Sequence, residues 1–240
     1  VDMIVNERIV SYMHSLEKNN SQVLEQIEIE AHKDNVPIIR KEMESFLRVI
    51  LAIKKPKRIL ELGTAVGYSA ILISECLDED GKITTIENYE KRIPIAKENA
   101  LLSAHKNAVV KGDVTALENA LKNQKAGKEN VITLLEGDAL EIMPTLKDDS
   151  FDFVFMDAAK AQYINFLPHV LRLMKTGGVL ITDNVLQAGD FIESKYVVRR
   201  RDRTIHKRMR EYMYEVKNNE QLETSIVPIG DGITISVKKR

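Results

Sequence analysis

The chain has 240 residues, of which 44% are hydrophobic and 30% are charged, a composition typical of soluble globular proteins. No apolar run reaches the ~20 residues that a membrane-spanning helix needs, and no signal peptide is apparent at the start of the sequence. Cys76 is the only cysteine, which excludes an internal disulfide and favours a cytoplasmic location. The five histidines lack Cys or His neighbours at ligand spacing, which argues against a zinc site.

The order of predicted elements indicates an α/β protein. The first ~55 residues have helical periodicity, which predicts helices over residues 4–16, 21–32 and 38–53. Strands and helices then alternate, with strands expected near residues 58–62, 82–87, 131–135, 151–157 and 178–183. This alternation predicts right-handed βαβ crossovers and a parallel sheet that is covered on both faces.

The last part of the chain breaks the alternation. Residues 223–229 and 233–237 predict two strands joined by the turn Gly230-Asp231-Gly232. The expected fold is therefore a doubly wound, mostly parallel, seven-stranded Rossmann-like sheet with a closing antiparallel hairpin. No linker rich in Pro, Gly or Ser divides the sequence, so we predict a single domain over residues 1–240.

One connection is longer than a crossover helix requires. Roughly 45 residues separate the strand ending near Glu87 from the strand starting at Val131. Within this connection, Val109-Val-Lys-Gly-Asp113 is similar to Leu134-Leu-Glu-Gly-Asp138. We expect either an inserted helical segment near residues 104–127 or a partial internal duplication.

A glycine-containing turn connects the first strand to the next helix, in Glu61-Leu-Gly63-Thr64-Ala-Val-Gly67. A strand, a glycine turn and a helix N-terminus together form a backbone cradle for a nucleotide-like ligand. The spacing differs from the G-x-G-x-x-G of dinucleotide sites, which argues against a nicotinamide oxidoreductase. Such a turn can also be purely structural, so the loop alone does not decide the function.

Carboxylates end or follow four of the predicted strands, at Glu87, Asp138, Asp157 and Asp183. Ligands of open α/β sheets bind at the carboxyl ends of the strands, so these groups should converge beside the glycine turn. Glu87 suits hydrogen bonding to ribose hydroxyls, and Asp138 could meet an adenine amino group. The alternative for any single carboxylate is a helix N-cap.

Two of these strand ends together predict a metal site. Asp157, Asp183 and Asn184 offer oxygen ligands that suit Mg²⁺ or a similar divalent ion. Lys160 lies three residues after Asp157. A nearby cation would lower the pKa of this lysine and of a bound hydroxyl, so neutral Lys160 could act as a general base. The alternative is a solvated lysine at a helix start.

Positive charge is concentrated in one segment. Between Lys195 and Arg210 lie eight Lys and Arg residues against one acid, a net +7 in 16 residues, which leaves −8 for the other 224. Such a segment could bind the phosphates of a nucleic acid, or it could be a solvated helix face or a dimer contact. The predicted RNA contacts are Arg199, Arg200, Arg201, Arg203, Lys207 and Arg208.

Taken together, the motifs resemble those of the cation-dependent O-methyltransferases related to catechol O-methyltransferase. The resemblance runs from about Val36 to the C-terminus and rests on Glu61-x-Gly63-Thr64-x-x-Gly67-Tyr68-Ser69, Gly137-Asp138-Ala139, Asp157-Ala-Ala-Lys160 and Asp183-Asn184. It implies S-adenosylmethionine as methyl donor, a divalent ion on Asp157, Asp183 and Asn184, Lys160 as base, and a homodimer. The implied cofactor contacts are Ile39, Glu61, Gly63, Thr64, Gly67, Ser69, Glu87, Asp138, Ala139 and Asp157.

Within this family, Asp183-Asn-Val-Leu followed by the basic segment is similar to the bacterial tRNA 5-hydroxyuridine methyltransferases. This resemblance implies methylation of a wobble-position hydroxyl to 5-methoxyuridine in tRNA. The alternatives are the same chemistry on a small catechol-like phenol and a non-catalytic RNA-binding module. Residues 104–127 depart from the family pattern and leave the adenine contact open between Asp138 and Asp113. We favour Asp138 because Gly-Asp-Ala-Leu fits the family better.

Overall fold

The structure is a computed structural model that describes residues 5–104, 131–187, 199 and 202–239. Almost all of the expected insertion near residues 104–127 lies outside the described residues, and so do Asp113, Arg200 and Arg201.

Three helices precede the sheet, as the periodicity predicts. They are α1 (Glu7–Ser15), α2 (Gln22–Lys33) and α3 (Lys41–Lys54). Asn6 and Ser21 cap α1 and α2, since their side chains accept hydrogen bonds from backbone N–H groups of the first turns. Helix α3 is followed by Lys55, whose left-handed φ of 47° ends the helix before Pro56.

Seven strands form one sheet, which confirms the predicted fold. The strands are β1 (Arg58–Leu62), β2 (Lys82–Glu87), β3 (Ile132–Glu136), β4 (Phe151–Met156), β5 (Met174–Thr182), β6 (Leu222–Val227) and β7 (Ile233–Lys238). Their order is β3-β2-β1-β4-β5-β7-β6. The first five are parallel, and β7 pairs antiparallel with both β5 and β6.

Further helices lie in the connections: α4 (Tyr68–Glu75), α5 (Ile93–Ala104), α6 (Ala139–Ile142), α7 (Tyr163–Leu173) and α8 (Arg203–Asn218). Neighbouring strand residues point to opposite faces of the sheet, so each face has its own core. Ile59 and Phe153 pack with α2, α3 and α4. Leu60 and Val154 pack with α7 and α8. In the described part of the chain, no helix is long and apolar enough to cross a membrane.

The strand order reverses between β1 and β4, which lie side by side in the middle of the sheet. Leu62, Met156 and Thr182 are in register, so β1, β4 and β5 end at the same edge. A crevice outside the carboxyl ends of strands at such a switch point is the usual ligand site of open α/β sheets.

Candidate active site

The loop between β1 and α4 is pressed against the end of β4. Gly63 has a φ of +96°, and a Cβ built there would lie 2.1 Å from the carbonyl oxygen of Asp157, so a larger residue does not fit. Gly67 has a φ of +86° and begins α4. Ala65, between them, is also left-handed, with a φ of 48°. The loop is therefore a tight turn of left-handed residues that leads directly into the N-terminus of α4, and its role as a ligand cradle stays a prediction.

A buried polar group at the end of β1 packs beneath this loop, inside the protein. The Glu61 carboxylate is fully buried and accepts hydrogen bonds from the Ser69 hydroxyl at 2.6 Å and from the Thr85 hydroxyl. The Thr64 and Thr85 hydroxyls are 2.6 Å apart. Burial raises the pKa of Glu61 to about 7, although both hydroxyls oppose the rise. Both carboxylate oxygens of Glu61 thus accept hydrogen bonds inside the protein, and its contact with the cofactor stays a prediction.

Glu87 lies at the end of β2, beside the loop. One carboxylate oxygen accepts a hydrogen bond from Ala65 N at 2.7 Å, and the other accepts from Asn88 N and Tyr89 N at 3.0 and 2.9 Å. Glu87 therefore helps to hold Ala65 in its left-handed conformation. Contact of Glu87 with a ribose stays a prediction.

We expect Glu87→Ala to weaken S-adenosylmethionine binding by roughly 1.5–3 kcal/mol, the usual loss for hydrogen bonds to a charged group. Isothermal calorimetry measures this change. Glu136→Ala is the matched control, since Glu136 lies opposite Glu87 at the end of β3 and forms an exposed pair with Lys97. Equal affinities of Glu87→Ala and the wild type would remove the ribose assignment.

The remaining predicted cofactor contacts lie in different surroundings in the structure. Asp138 is exposed, and its side chain caps α6 by accepting a hydrogen bond from Leu140 N at 2.8 Å. Asp138 is thus a helix N-cap, which was the alternative for each carboxylate, and its contact with an adenine stays a prediction. Ala139 packs against the core on the α7 side, and Ile39 is buried in the opposite core, just before α3.

Asp157 and Asp183 follow neighbouring strands and continue the hydrogen-bond ladder of the sheet. Asp157 N donates to Leu62 O, and Asp183 N donates to Met156 O, each at 3.0 Å. Burial raises the pKa of Asp183, and the Asp157 charge raises it further. Burial also raises the pKa of Asp157, which the Lys160 charge lowers and the Asp231 charge raises. The structure thus brings two carboxylates together so that they repel each other.

The chain after Asp183 is held by the turn between β6 and β7. Asn184 is left-handed, with a φ of 59°, and its N–H donates to Asp183 Oδ1 at 2.6 Å. Val185 N then donates to Gly232 O, and Leu186 N donates to Asp231 O. These bonds fix the backbone on which two predicted metal ligands lie.

Sequence reasoning missed Asp231 as a member of this site. Its carboxylate accepts a hydrogen bond from Arg40 at 2.9 Å, and its charge raises the pKa of both Asp157 and Asp183. The only sequence signal for it is its place between Gly230 and Gly232, which reads as an ordinary turn.

The donor set fits a divalent cation. Within the described ranges, no group of three or more His, Cys, Asp or Glu side chains could hold a metal ion. Asp157, Asp183 and Asn184 instead provide two carboxylates and one amide, which are hard oxygen donors that suit Mg²⁺ with water or substrate in the other positions. A cation here would also neutralise the repulsion that raises the two aspartate pKa values.

Lys160 begins the 3-10 turn Lys160–Gln162, which leads into α7. Its charge lowers the pKa of Asp157, so the ammonium group lies near the predicted metal ligands. The next residue, Ala161, accepts a hydrogen bond from Arg208 of α8 through its carbonyl oxygen at 3.1 Å. The structure thus brings the predicted base and the metal ligands together at one strand edge.

Helix α8 is amphipathic. Its inner face buries His206, Met209, Tyr212 and Val216 against the sheet. Of the predicted RNA contacts, Arg199, Arg203 and Lys207 are exposed, and Lys207 lies 3.6 Å from Glu211. Arg208 is partly buried against Ala161. One side of α8 is thus part of the core, and its exposed side remains compatible with RNA binding, with a solvated helix face or with a dimer contact.

Comparisons with known proteins agree with this architecture. The family model described as O-methyltransferase matches residues 13–124 and 109–239. Caffeoyl-CoA O-methyltransferase 1 of Eucalyptus globulus is 30% identical over 218 residues, which cover 85% of this chain and 76% of that protein. The caffeoyl-CoA O-methyltransferase of Medicago sativa is 30% identical over 219 residues, with the same coverages of 85% and 76%.

Solved structures share the fold. The O-methyltransferase of Bacillus cereus, in complex with S-adenosylhomocysteine, is 22% identical with a TM-score of 0.75, covering 97% of each chain. The O-methyltransferase TomG of Streptomyces achromogenes, in complex with S-adenosylmethionine, is 21% identical with a TM-score of 0.76, covering 97% of this chain and 96% of TomG. The two family-model matches overlap at residues 109–124, within the segment that we interpret as an insertion or duplication. The chain therefore belongs to the O-methyltransferase family, the family of S-adenosylmethionine-dependent enzymes that its sequence motifs indicate.

Proposed function

We propose that this protein transfers a methyl group from S-adenosylmethionine to an aromatic hydroxyl, with the help of a divalent cation. The observation that carries the proposal is the close approach of the cofactor loop to the metal ligands. The Gly63 backbone lies directly against the carbonyl group of Asp157, so the methyl donor and the cation would share one crevice. The structures of the same fold that hold S-adenosylhomocysteine or S-adenosylmethionine support this choice of cofactor.

Each residue of the crevice then has a role in the transfer. Glu87 and the Gly63 loop bind and orient the methyl donor, which sets the in-line geometry that such a displacement needs. The Lys160 amine takes the proton of the acceptor hydroxyl at Nζ. The oxygen attacks the methyl carbon, and the sulfonium leaves as a neutral thioether. A bound cation on Asp157, Asp183 and Asn184 supplies positive charge that stabilises the acceptor oxyanion.

For the acceptor, we propose the 5-hydroxyl of a wobble uridine in tRNA. Support comes from the place of the basic segment: Arg203 and Lys207 are exposed on α8, the helix whose Arg208 contacts the turn of Lys160. A tRNA held on this surface by its phosphates would have a nucleotide within reach of the crevice. A dense cationic surface suits a polyanion better than a small neutral phenol.

The charge of this surface provides a test. Replacing Arg199, Arg200 and Arg201 together by Ala is expected to weaken tRNA binding and to reduce the slope of log affinity against log salt by about 0.9 for each lost phosphate contact. Filter binding across a salt series measures both effects, and affinity for S-adenosylmethionine should not change.

The matched control removes the same charge elsewhere, with Ala at Arg8, Lys18 and Lys33, which are exposed in the N-terminal helical segment. It separates a local contact from an effect of net charge. If both triple variants lower tRNA affinity equally, the basic segment has no specific part in binding.

The names of the relatives favour a second acceptor, a phenol carried on coenzyme A. Coenzyme A also carries phosphates, so the basic segment is compatible with it. Labelled methyl donor, offered with tRNA that contains 5-hydroxyuridine or with caffeoyl-CoA, separates the two. Label in caffeoyl-CoA alone would assign the small-molecule activity, and label in tRNA alone would assign the RNA activity.

We also propose that the chain acts as a single domain and as a cytoplasmic homodimer. Helix α1 supports the dimer, because Ile9 and Tyr12 on it and Leu16 directly after it are 53%, 65% and 65% exposed, and exposed apolar surface favours association. A single monomeric species in sedimentation velocity, at the concentration of the activity assay, would contradict it.

A further inference from the structure

Arg208 differs from its neighbours in the basic segment. Its guanidinium donates a hydrogen bond to Ala161 O at 3.1 Å, in a partly buried contact. Lys207 and Arg210, on either side of it in the sequence, are exposed. One N–H of the Arg208 guanidinium is therefore bonded to a protein carbonyl, and its side chain is directed toward the Lys160–Gln162 turn.

The same side of α8 touches the other half of the crevice. Tyr212, one helical turn after Arg208, is fully buried, and its hydroxyl is 2.5 Å from the hydroxyl of Thr182, the residue before Asp183. Its ring meets the ring of Tyr163 edge-on, with centroids 5.5 Å apart. Tyr163 in turn donates to Asp183 O at 3.3 Å. Helix α8 thus contacts both the turn of Lys160 and the strand end of Asp183.

The Lys160–Gln162 turn is short, so a hydrogen bond from α8 adds to its stability. Its own backbone bonds include Gln162 N to Ala159 O at 2.7 Å and Tyr163 N to Lys160 O. A 3-10 turn of this length has poorer hydrogen-bond geometry than an α-helix, so an outside donor contributes to its order. Arg208 provides that donor from a helix that is itself anchored in the core.

We propose that Arg208 is a positioning residue, which fixes the Lys160–Gln162 turn and so keeps Lys160 in place for proton transfer. The basic segment would then have two functions, with exposed cations that contact the substrate and one inner arginine that acts through Lys160. The inference rests on the proposed function, because it takes Lys160 as the base. It is independent of the identity of the acceptor.

Hydrogen exchange tests the positioning without any substrate. In Arg208→Ala, the amides of Gln162 and Tyr163 are expected to exchange about tenfold faster, since local opening becomes easier. Arg208→Lys keeps one donor and should restore most of the protection. Arg210→Ala, an exposed arginine of the same helix, is the matched control and should leave these amides unchanged. Faster exchange in β1 as well would indicate general destabilisation and would count against a local role.

A double-mutant cycle then tests whether Arg208 acts through Lys160. Arg208→Ala alone is expected to lower kcat about tenfold or more, with the KM for the methyl donor unchanged. In a Lys160→Ala background, the same change should have little further effect, because the group that it positions is already gone. A full additional loss in that background would overturn the inference and indicate a merely structural role. A flatter salt slope of tRNA binding with kcat intact would overturn it in favour of a phosphate contact.

Failure of the proposed function can be distinguished from failure of the inference about Arg208. If wild-type protein transfers no methyl group to any acceptor, the function fails, and the hydrogen-exchange comparison alone decides on Arg208. If Lys160→Ala is as active as the wild type, Lys160 is not the base, and the positioning inference is overturned while methyl transfer stands.

Discussion

Asp183→Asn is expected to abolish cation-dependent methyl transfer and, at the same time, to stabilise the metal-free protein. The activity loss should reach about three orders of magnitude, since a catalytic cation is worth several kcal/mol of transition-state stabilisation. The stability gain should be about 1–3 kcal/mol near neutral pH, because one of two buried, mutually repelling charges is removed. Asn retains an oxygen that can accept the hydrogen bond now made by Asn184 N.

The direction of the pH dependence follows from the raised pKa of Asp183, which burial and the Asp157 charge cause. The folded protein binds this proton more tightly than the unfolded chain does. The free energy of unfolding of the metal-free wild type therefore decreases as pH rises above about 4, the ordinary pKa of Asp, until the raised pKa is passed. The Asp183→Asn variant lacks this decrease, so its advantage should vanish in acid and be complete only above the raised pKa of Asp183, which is about 7.

Urea denaturation in excess chelator, at several pH values, measures the stability effect. Asp149→Asn is the matched control, because Asp149 is an exposed carboxylate just before β4, at the opposite end of that strand from Asp157. The free energy of unfolding should change little in this variant, because surface ion pairs contribute little to stability. Full activity of Asp183→Asn, or wild-type activity that persists in chelator, would contradict the metal site.

Gly63→Ala is expected to destabilise the protein by about 3 kcal/mol or more and to abolish cofactor binding. Two costs add at this position. The φ of +96° is unfavourable for any residue with a Cβ, and that Cβ would lie 2.1 Å from the backbone of Asp157. Since the obstacle is a strand end and not a flexible side chain, the loop must move away from β4.

Gly177→Ala separates the two costs. Gly177 has a φ of +75°, but a Cβ there would meet nothing within 4 Å. This variant should lose only the conformational part, about 1 kcal/mol. Urea denaturation and calorimetry with S-adenosylmethionine measure both proteins. Equal losses in the two variants would show that the close approach of Gly63 to Asp157 has no energetic weight.

The elements that carry the site could be predicted because their sequence signals are local. Hydrophobic strands that end in Glu87, Asp157 and Asp183 fix both the fold and the edge where these residues meet, since parallel strands share one direction. The terminal hairpin was recognisable from its glycine turn. Strand β5 begins at Met174, earlier than expected, because Gly177 and Gly178 obscure the first part of the strand.

The contacts that could not be predicted depend on how the elements pack against one another. In the sequence, Glu61 cannot be distinguished from a motif carboxylate that faces a ligand. The structure shows that it is fully buried and that Ser69 and Thr85 donate hydrogen bonds to its oxygens. Arg208 looks like one more cation in a basic run, and its bond to Ala161 depends on how α8 packs. Charge and spacing identify the residue types at a site, but side-chain direction depends on tertiary packing.

The position of β7 has a consequence for how the crevice is assembled. Strand β7 lies between β5 and β6, and the turn before it holds the backbone of Val185 and Leu186. The five parallel strands can pair with one another independently of the pairing of β5 with β7, because β7 is bonded only to β5 and β6 in the sheet. The loop after Asn184 gains its hydrogen bonds to this turn only when that pairing forms. A chain whose parallel strands had paired without β7 would thus lack the backbone bonds that hold Val185 and Leu186, directly after two of the proposed cation ligands.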